Sequence, residues 1–294
     1  MKLQSVVKAF RVKDGEGFRL SRIDPADTLG MKSKDDAAET VAQGVERLSA
    51  LQEKLYAQDR WAVLLVFQAL DAAGKDSTIK HVMSGVNPQG CEVYSFKAPS
   101  NEDLDHDFFW RAAKCLPQRG RIGIFNRSYY EEVLVVRVHP ELLAREKLPE
   151  AVVTKDLWKE RFQDIVAFER HLGRNGTLIL KFFLHVSRAE QRRRFLERLD
   201  KPSKNWKFSA ADLAERQHWN AYMDAYEEMI RHTATAAAPW HVVPADHKWF
   251  TRLVVVETIT AAIDRLDLGF PAVPPGERKA LKAARVELER EGNA

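Results

Sequence analysis

The sequence lacks the features that mark secreted, fibrous and membrane-spanning proteins. Only two cysteines, Cys91 and Cys115, occur among 294 residues. Neither lies in a CxxC pair, so we expect neither a disulfide framework nor a thiolate zinc site. Glycine and proline, at 14 and 12 residues, are too few for a collagen-like or low-complexity chain. No apolar run approaches the roughly 20 residues of a membrane-spanning helix, and the amino terminus has no apolar export signal. These absences predict a folded cytoplasmic protein without a membrane partner.

The charge is nearly balanced overall but is concentrated in one segment. The 46 basic and 42 acidic residues give a net charge of +4, which does not suggest a protein that coats nucleic acid. Between positions 188 and 207, however, eight basic residues stand against three acidic ones. This segment indicates either an anionic partner or a solvated basic helix face. The candidate anion-binding residues are Arg188, Arg193, Arg194, Arg198, Lys204 and Lys207.

Apolar runs and amphipathic segments alternate along the chain. We predict strands at 61–67, 92–96, 121–125, 177–184 and 241–243. We predict helices at 35–56, from residue 75 onward, and at 101–115, 155–171, 187–199, 210–231 and 249–266. Such alternation predicts an α/β fold with helices on both faces of a parallel sheet. The predicted organisation is an extended arm at 1–30, a main domain at 31–270 and a tail or peripheral helix at 271–294.

The segment after the first long strand is interpreted as a phosphate-binding loop. Gln68 to Gly74, followed by Lys75 in a helix, has the order in which backbone N–H groups surround phosphate and a lysine reaches its oxygens. The standard pattern, GxxxxGK followed by Ser or Thr, fails at Ala69 and at Asp76. An ordinary strand-to-helix turn is therefore the alternative. The candidate phosphate-binding residues are Ala72, Ala73, Gly74, Lys75, Asp76 and Ser77.

Two acids bear on that choice. An acid inside a loop that attracts phosphate is repulsive unless a cation lies between them, so Asp71 predicts Mg²⁺ held against phosphate. Asp76 either assists that cation or interacts favourably with the first turn of its helix.

A second polar cluster follows the strand at 121–125. Arg127 offers a planar fork of donors suited to phosphate oxygens, and Glu131 and Glu132 supply carboxylates for a metal or for the acceptor. The carboxyl ends of parallel strands meet at one edge of a sheet, where ligands bind. We therefore expect this cluster to lie beside the phosphate loop. A surface ion-pair cluster at a helix start is the alternative.

Three motifs carry a family resemblance. They are QALDAAGKDSTIKHV at 68–82, IGIFNRSYYEEVLVVRVHP at 122–140 and RLDKPSKNWKFSAADLAER at 198–216. Together the motifs resemble the polyphosphate kinase 2 family, most of all its class III members, and the resemblance extends from about residue 28 to 268. It implies a P-loop kinase fold similar to that of thymidylate kinase, with a helical lid around 188–210, and assembly into a homo-oligomer. It also implies dependence on Mg²⁺, with Mn²⁺ as a possible substitute.

The same resemblance implies an activity. Family members transfer the terminal phosphoryl group between inorganic polyphosphate and a nucleotide, and class III members convert AMP to ADP and ADP to ATP, with GMP and GDP as further possible acceptors. An ATP-dependent nucleoside monophosphate kinase is one alternative. A non-catalytic P-loop module that binds a polyanion is another.

The motifs also transfer roles to individual residues. By resemblance, Asp71, Lys75, Arg127 and Glu131 are the catalytic residues, and Asp71 and Glu131 hold the metal. Many family members have aspartate where Asn126 stands and asparagine where Glu131 stands, which implies that the metal-binding carboxylate has moved to Glu131. The segment from Lys204 to Phe208 matches the family's lid. Lys97 and Pro99 are nucleotide-binding candidates because they lie just after the strand at 92–96, and the full set of nucleotide-binding candidates is Lys97, Pro99, Asn126, Glu131 and Glu132.

Overall fold

A mixed six-stranded sheet lies at the centre of the computed structural model, which describes residues 3–291, with side chains from residue 5 onward. Its strands are β1 (Arg11–Val12), β2 (Ala62–Gln68), β3 (Cys91–Ser95), β4 (Ile122–Asn126), β5 (Thr177–His185) and β6 (Trp240–Pro244). The spatial order is β1-β6-β5-β2-β4-β3, and all neighbours are parallel except β1 and β6. The predicted strands are thereby confirmed, with ends that differ by at most one residue.

Helices cover both faces of this sheet. They are α1 (Leu3–Ala9), α2 (Asp35–Gln58), α3 (Lys75–Val82), α4 (Asn101–Leu104), α5 (Trp110–Ala113), α6 (Val135–Val138), α7 (Leu157–Arg174), α8 (Arg188–Asp200), α9 (Pro202–Asn205), α10 (Ala210–Glu215), α11 (Trp219–Thr233), α12 (Lys248–Asp264) and α13 (Pro275–Glu291). No helix within residues 3–291 has the length and apolar character needed to cross a bilayer.

The buried strand β2 explains the two-sided architecture. Its side chains alternate between faces, so Val63 and Leu65 join the apolar core beneath α2, α3 and α12, whereas Leu64 and Val66 join the core beneath α7 and α11. All seven residues of β2 are buried. A strand of this kind reads as a continuous apolar run, and for that reason the sequence reveals it clearly. The predicted α/β fold is confirmed.

Two predicted helices are interrupted. The segment predicted as one helix at 101–115 consists of α4 and α5, separated by a turn in which the Asp107 carboxylate accepts a hydrogen bond from the Phe109 N–H. Such local side-chain bonding competes with the helical pattern. The segment predicted at 210–231 bends through a 3₁₀ turn at Arg216–His218. Here α11 buries six side chains against the sheet while α10 buries none, so the two parts have different packing partners.

The amino-terminal segment is more structured than the predicted extended arm. Helix α1 places Val6 in the core, and β1 adds an antiparallel strand to the edge of the sheet beside β6. Phe10 is also buried and packs edge-on against the Phe250 ring, with 5.8 Å between centroids. Apolar contacts therefore hold this segment against α12. At the other terminus, α13 has no buried residue.

Candidate active site

The loop between β2 and α3 has the conformation of a cradle for an anion. Ala72 and Gly74 both adopt positive φ, at 61° and 109°, which turns the backbone sharply before the helix begins. Lys75 is only 8% exposed, and its Nζ donates a hydrogen bond back across the loop to the Ala69 carbonyl at 2.7 Å. Burial lowers the pKa of Lys75, reinforced by the nearby Arg127 charge and opposed by Asp71. The ammonium is thus fixed at the mouth of the loop, beside the carboxyl ends of β2 and β4.

Arg127 joins the two predicted acidic ligands. Its Nη2 lies 2.9 Å from Asp71 Oδ1 and its Nη1 lies 3.1 Å from Glu131 Oε2. Arg127 has a positive φ of 63°, so a local backbone constraint aims the guanidinium at the loop. The Glu131 charge, followed by that of Asp71, outweighs desolvation and raises the pKa of Arg127. The structure brings Asp71, Arg127 and Glu131 together as the sequence predicts.

Burial opposes ionisation of Asp71, but the charges of Lys75 and Arg127 outweigh it and lower its pKa. Asp71 is therefore ionised at neutral pH. Its Oδ2 has no hydrogen-bond partner among residues 5–291. Both oxygens of Glu131, by contrast, have a partner. Arg127 donates to Oε2, and the Gln68 amide, which Ser128 orients, donates to Oε1 at 2.8 Å. Within the same residues no group of three or more acidic, histidine or cysteine side chains could hold a metal by itself.

Asp71 thus fits Mg²⁺, an ion that commonly takes one or two carboxylates and completes its shell with phosphate oxygens and water. Glu131 fits less well while it pairs with Arg127. Asn126 and Asp76, the two remaining candidates for metal contact, form a hydrogen bond with each other, in which Asn126 Nδ2 donates to Asp76 Oδ1 at 2.7 Å.

A cavity of about 740 Å³ opens above the loop. Its lining contains nine basic side chains against three acidic ones, so we call it the basic cavity. Six of these cations are predicted anion-binding residues, and Lys97 is a predicted nucleotide-binding residue. Lys80, although it lies in the first motif, and Lys248, which lies outside all three motifs, are not predicted from the sequence. The basic side chains are Lys75, Lys80, Lys97, Arg127, Arg194, Arg198, Lys204, Lys207 and Lys248.

Arg194 lies in this cavity wall but faces the protein. It is 4% exposed, and its N–H groups donate five hydrogen bonds to other residues of the protein. Its Nη1 donates to the carbonyls of Ala72 and Ala73, at 3.0 and 2.6 Å, and its Nη2 donates to those of Ala245 and Asp246, at 2.6 and 3.1 Å. Its Nε bonds Glu190. The side chain therefore ties the phosphate loop to the end of β6.

The remaining basic residues of the lid segment divide between cavity and solvent. Arg198 lines the cavity and contacts the Lys207 carbonyl and Asp212, at 3.1 and 3.3 Å. Lys204 pairs with Glu197 at 2.7 Å. Arg188 and Arg193 do not line the basic cavity, and Arg193 is 62% exposed and paired with Glu190. For those two residues the solvated helix face is the better description.

A second cavity, of about 210 Å³, adjoins the first. Nine apolar or aromatic side chains, among them Phe96, Phe108 and Tyr129, line it together with nine charged ones, and we call it the aromatic cavity. The predicted nucleotide-binding residues in its wall are Lys97, Pro99, Glu131 and Glu132. Burial raises the pKa of Glu132 to about 8 despite the nearby Arg161. The two cavities share Phe96, Lys97 and Arg127. A flat apolar group can therefore occupy one cavity while anionic groups occupy the other.

A buried network of polar side chains positions the segment that carries Glu131. Lys181 is fully buried in β5, and its Nζ donates to Glu169 at 2.6 Å and to the Tyr130 hydroxyl at 3.0 Å. The hydroxyls of Tyr129 and Tyr130 in turn donate to Glu169, at 2.9 and 2.7 Å. Because these tyrosines directly precede Glu131, the network fixes the backbone that carries the acid.

A strand, a positive-φ loop and a helix that begins with a buried lysine, beside a second strand that is followed directly by an arginine, are the features of a P-loop kinase. The polyphosphate kinase 2 family model matches residues 31–269. This chain belongs to that family.

Known proteins of this family are similar to the chain over almost its whole length. It is 52% identical over 286 residues to an ADP-polyphosphate phosphotransferase of Rhodopseudomonas palustris, covering 96% of this chain and 98% of that one. It is 44% identical to an AMP/ADP-polyphosphate phosphotransferase of Meiothermus ruber, covering 90% and 96%. The crystal structure of polyphosphate kinase 2 from Arthrobacter aurescens superposes with a TM-score of 0.86 at 39% identity, covering 95% and 96%.

Proposed function

We propose that this protein transfers the terminal phosphoryl group of inorganic polyphosphate to AMP and ADP, with Mg²⁺ as the metal. The observation that carries this assignment is the junction of the two cavities at Lys97 and Arg127, directly above the phosphate loop. Polyphosphate is a linear polyanion without bases, so it requires a row of cations such as the basic cavity provides. The aromatic cavity suits the nucleoside of the acceptor.

In the transfer, the bond between the terminal phosphorus and its bridging oxygen breaks while an oxygen of the acceptor's terminal phosphate forms a new bond to that phosphorus. The shortened chain keeps the bridging oxygen and its electron pair. The attacking oxygen is already ionised, so no general base is required. The protein has to align donor and acceptor and to neutralise charge.

The side chains of the loop and cluster fit these tasks. Lys75 and Arg127 supply positive charge where the transferring group gains negative charge. Asp71 would hold Mg²⁺, whose charge would lower the repulsion between the donor and acceptor phosphates. Glu131 orients Arg127 through the 3.1 Å ion pair. Closure of the lid segment, with Arg198, Lys204 and Lys207, excludes water and limits hydrolysis.

The test is an assay of the purified protein with Mg²⁺, long-chain polyphosphate and AMP, with ADP and ATP separated by chromatography. Formation of both products is the expected result. A parallel reaction with ATP in place of polyphosphate addresses the nearest alternative, because turnover with ATP alone would identify an ordinary nucleoside monophosphate kinase. Binding of polyphosphate without any turnover would identify a non-catalytic module.

Lys75→Ala links the activity to this site. The expected loss in kcat is on the order of 10²-fold or more, as for removal of one preorganised charge-stabilising donor. Because Lys75 is buried, its replacement can also destabilise the fold. The thermal unfolding of the Lys75→Ala variant is therefore compared with that of Lys75→Arg, which keeps the positive charge. Lys159→Ala, at an exposed position of α7, is the matched control. Normal turnover in a folded Lys75→Ala protein would contradict the assignment.

A further inference from the structure

A third cavity, of about 220 Å³, lies at the end of the sheet opposite the phosphate loop. Its wall includes Leu178 and Ile179 at the start of β5, whereas the phosphate loop follows the end of β2, which runs parallel to β5. The polar lining consists of Arg11, His241, Thr258 and Arg265, and we call this the edge cavity. Nothing in the proposed phosphoryl transfer uses it.

Thr258 presents an unused hydroxyl to the edge cavity. It is 1% exposed on α12, and its Oγ1 is buried without a hydrogen-bond partner. Two other threonines of the same helix satisfy their hydroxyls on the carbonyl four residues earlier, Thr251 at 3.1 Å and Thr260 at 2.7 Å. A buried hydroxyl without a hydrogen-bond partner is destabilising, so a bound group that pairs with it is favoured.

The charges around this hydroxyl are of one sign. Arg11 and Arg265 line the cavity, no acidic side chain does, and neither guanidinium forms a hydrogen bond or ion pair with residues 5–291. The Arg11 Nε is buried without a partner. Burial, followed by the charge of Arg265, lowers the pKa of Arg11. His241 adds no charge at neutral pH, because burial lowers its pKa to about 3.

We propose that the edge cavity binds a phosphate-sized oxyanion between the guanidinium groups of Arg11 and Arg265 and the Thr258 hydroxyl. Guanidinium forks suit phosphate oxygens in both geometry and charge. The cavity is small beside the basic cavity, so it suits a single phosphate group rather than a length of chain. Because Arg11 belongs to β1 and Thr258 to α12, a bound anion links the amino-terminal strand to the core helix.

The experiment is a titration of the full chain with inorganic phosphate, followed by NMR of ¹³C-labelled threonine methyl groups. Thr258 reports the edge cavity. Thr78, equally buried and hydrogen-bonded through its N–H to the Gly74 carbonyl, reports the phosphate loop. The expected result is a saturable shift of the Thr258 signal, with a dissociation constant independent of the one read at Thr78. A Thr258 signal that stays still while Thr78 shifts would overturn the proposal.

Variants decide which groups are responsible. In Arg11→Gln/Arg265→Gln the affinity read at Thr258 falls at least roughly 10-fold while that at Thr78 is kept. Arg22→Gln/Arg170→Gln removes two exposed arginines elsewhere and leaves both affinities unchanged. Equal affinity at Thr258 in both double variants would refute a role for the guanidinium groups. Should the first double variant not fold, Thr258→Val tests the third partner of the anion, the hydroxyl, with a ¹³C-labelled Ala262 methyl as probe. A roughly 10-fold loss of affinity is expected, and unchanged affinity would overturn the proposed site.

The anion has two possible sources, free inorganic phosphate or the end of a phosphate chain. A second titration with tripolyphosphate separates them. Tighter binding of inorganic phosphate at Thr258 is expected from the size of the cavity. A shift with tripolyphosphate and none with inorganic phosphate would overturn the assignment to a single oxyanion.

Discussion

Replacing Arg194 with lysine separates two roles for a cation in the lid segment. The sequence predicts that Arg194 binds polyphosphate, whereas its contacts suggest that it positions the phosphate loop. Its guanidinium bridges two pairs of carbonyls, Ala72 and Ala73 on one side and Ala245 and Asp246 on the other. A lysine keeps the charge but gathers its donors at a single atom, so it cannot serve both pairs.

The structure sets the size of the effect. With lysine, the two carbonyls of one pair lose their donors in a buried environment, and at roughly 1–3 kcal/mol per unsatisfied group the protein loses about 2–6 kcal/mol of unfolding free energy. The loop carbonyls also lose the contact that fixes them relative to β6. A misplacement of about 1 Å at a reacting centre lowers the rate on the order of 10²-fold. We therefore expect kcat to fall by roughly 10- to 100-fold while KM for polyphosphate stays close to its original value.

The assay measures kcat and KM for long-chain polyphosphate at saturating AMP, together with urea unfolding. Arg193→Lys is the matched control, because Arg193 directly precedes Arg194, forms an ion pair with the same Glu190 and is exposed. It should change stability by no more than about 0.5 kcal/mol and leave kcat unchanged. A stable Arg194→Lys protein with normal kcat and a raised KM would refute the positioning role and support direct binding of the chain.

Three further predictions follow from buried and cavity-lining charges. Lys248→Ala raises KM for long-chain polyphosphate roughly 5-fold, the equivalent of about 1 kcal/mol for one partly exposed contact, without changing KM for AMP, and Lys155→Ala serves as its control. Burial raises the pKa of Glu132 in the folded state to about 8, so its contribution to the unfolding free energy is present at low pH and is lost as the pH rises from about 4.5 to 8. The unfolding free energy measured in urea across that range should therefore fall less in Glu132→Gln than in the original protein. Lys181→Met leaves the Glu169 carboxylate buried without its counter-charge and costs about 3–5 kcal/mol of unfolding free energy, whereas Lys181→Met/Glu169→Leu restores part of the loss; equal losses in both would contradict a buried-pair effect.

The sequence predicts the sheet well because its strands are locally encoded. The run in β2 is apolar throughout and bounded by polar or turn residues, so its limits appear in the sequence itself. The break between α10 and α11 is different, because it depends on which of two helical segments finds a buried face. The helical period of 210–231 alone contains no such information. The amino-terminal strand β1 is only two residues long and is defined by its partner β6, so it too is invisible to a local pattern.

The candidate site shows the same division between residue identity and orientation. The motifs place Asp71, Lys75, Arg127 and Glu131 at the carboxyl edge of the sheet, and the structure brings them together there. What the motifs do not contain is which groups pair before substrate binds. Arg194 illustrates the point, since its helix also presents Arg193 and the spacing alone does not indicate which guanidinium turns inward.

Arg127 gives that division a chemical consequence. With Arg127 between them, Asp71 and Glu131 do not form a two-carboxylate metal site, and only Asp71 keeps an unpaired oxygen. A phosphate group held at the loop would offer Arg127 a second anionic partner and would compete with Asp71 for its guanidinium. Glu131 would then lose its counter-charge unless its carboxylate moves with Arg127. We therefore expect Glu131 to be coupled to phosphate binding through Arg127, so that replacing Glu131 has its effect when phosphate is bound.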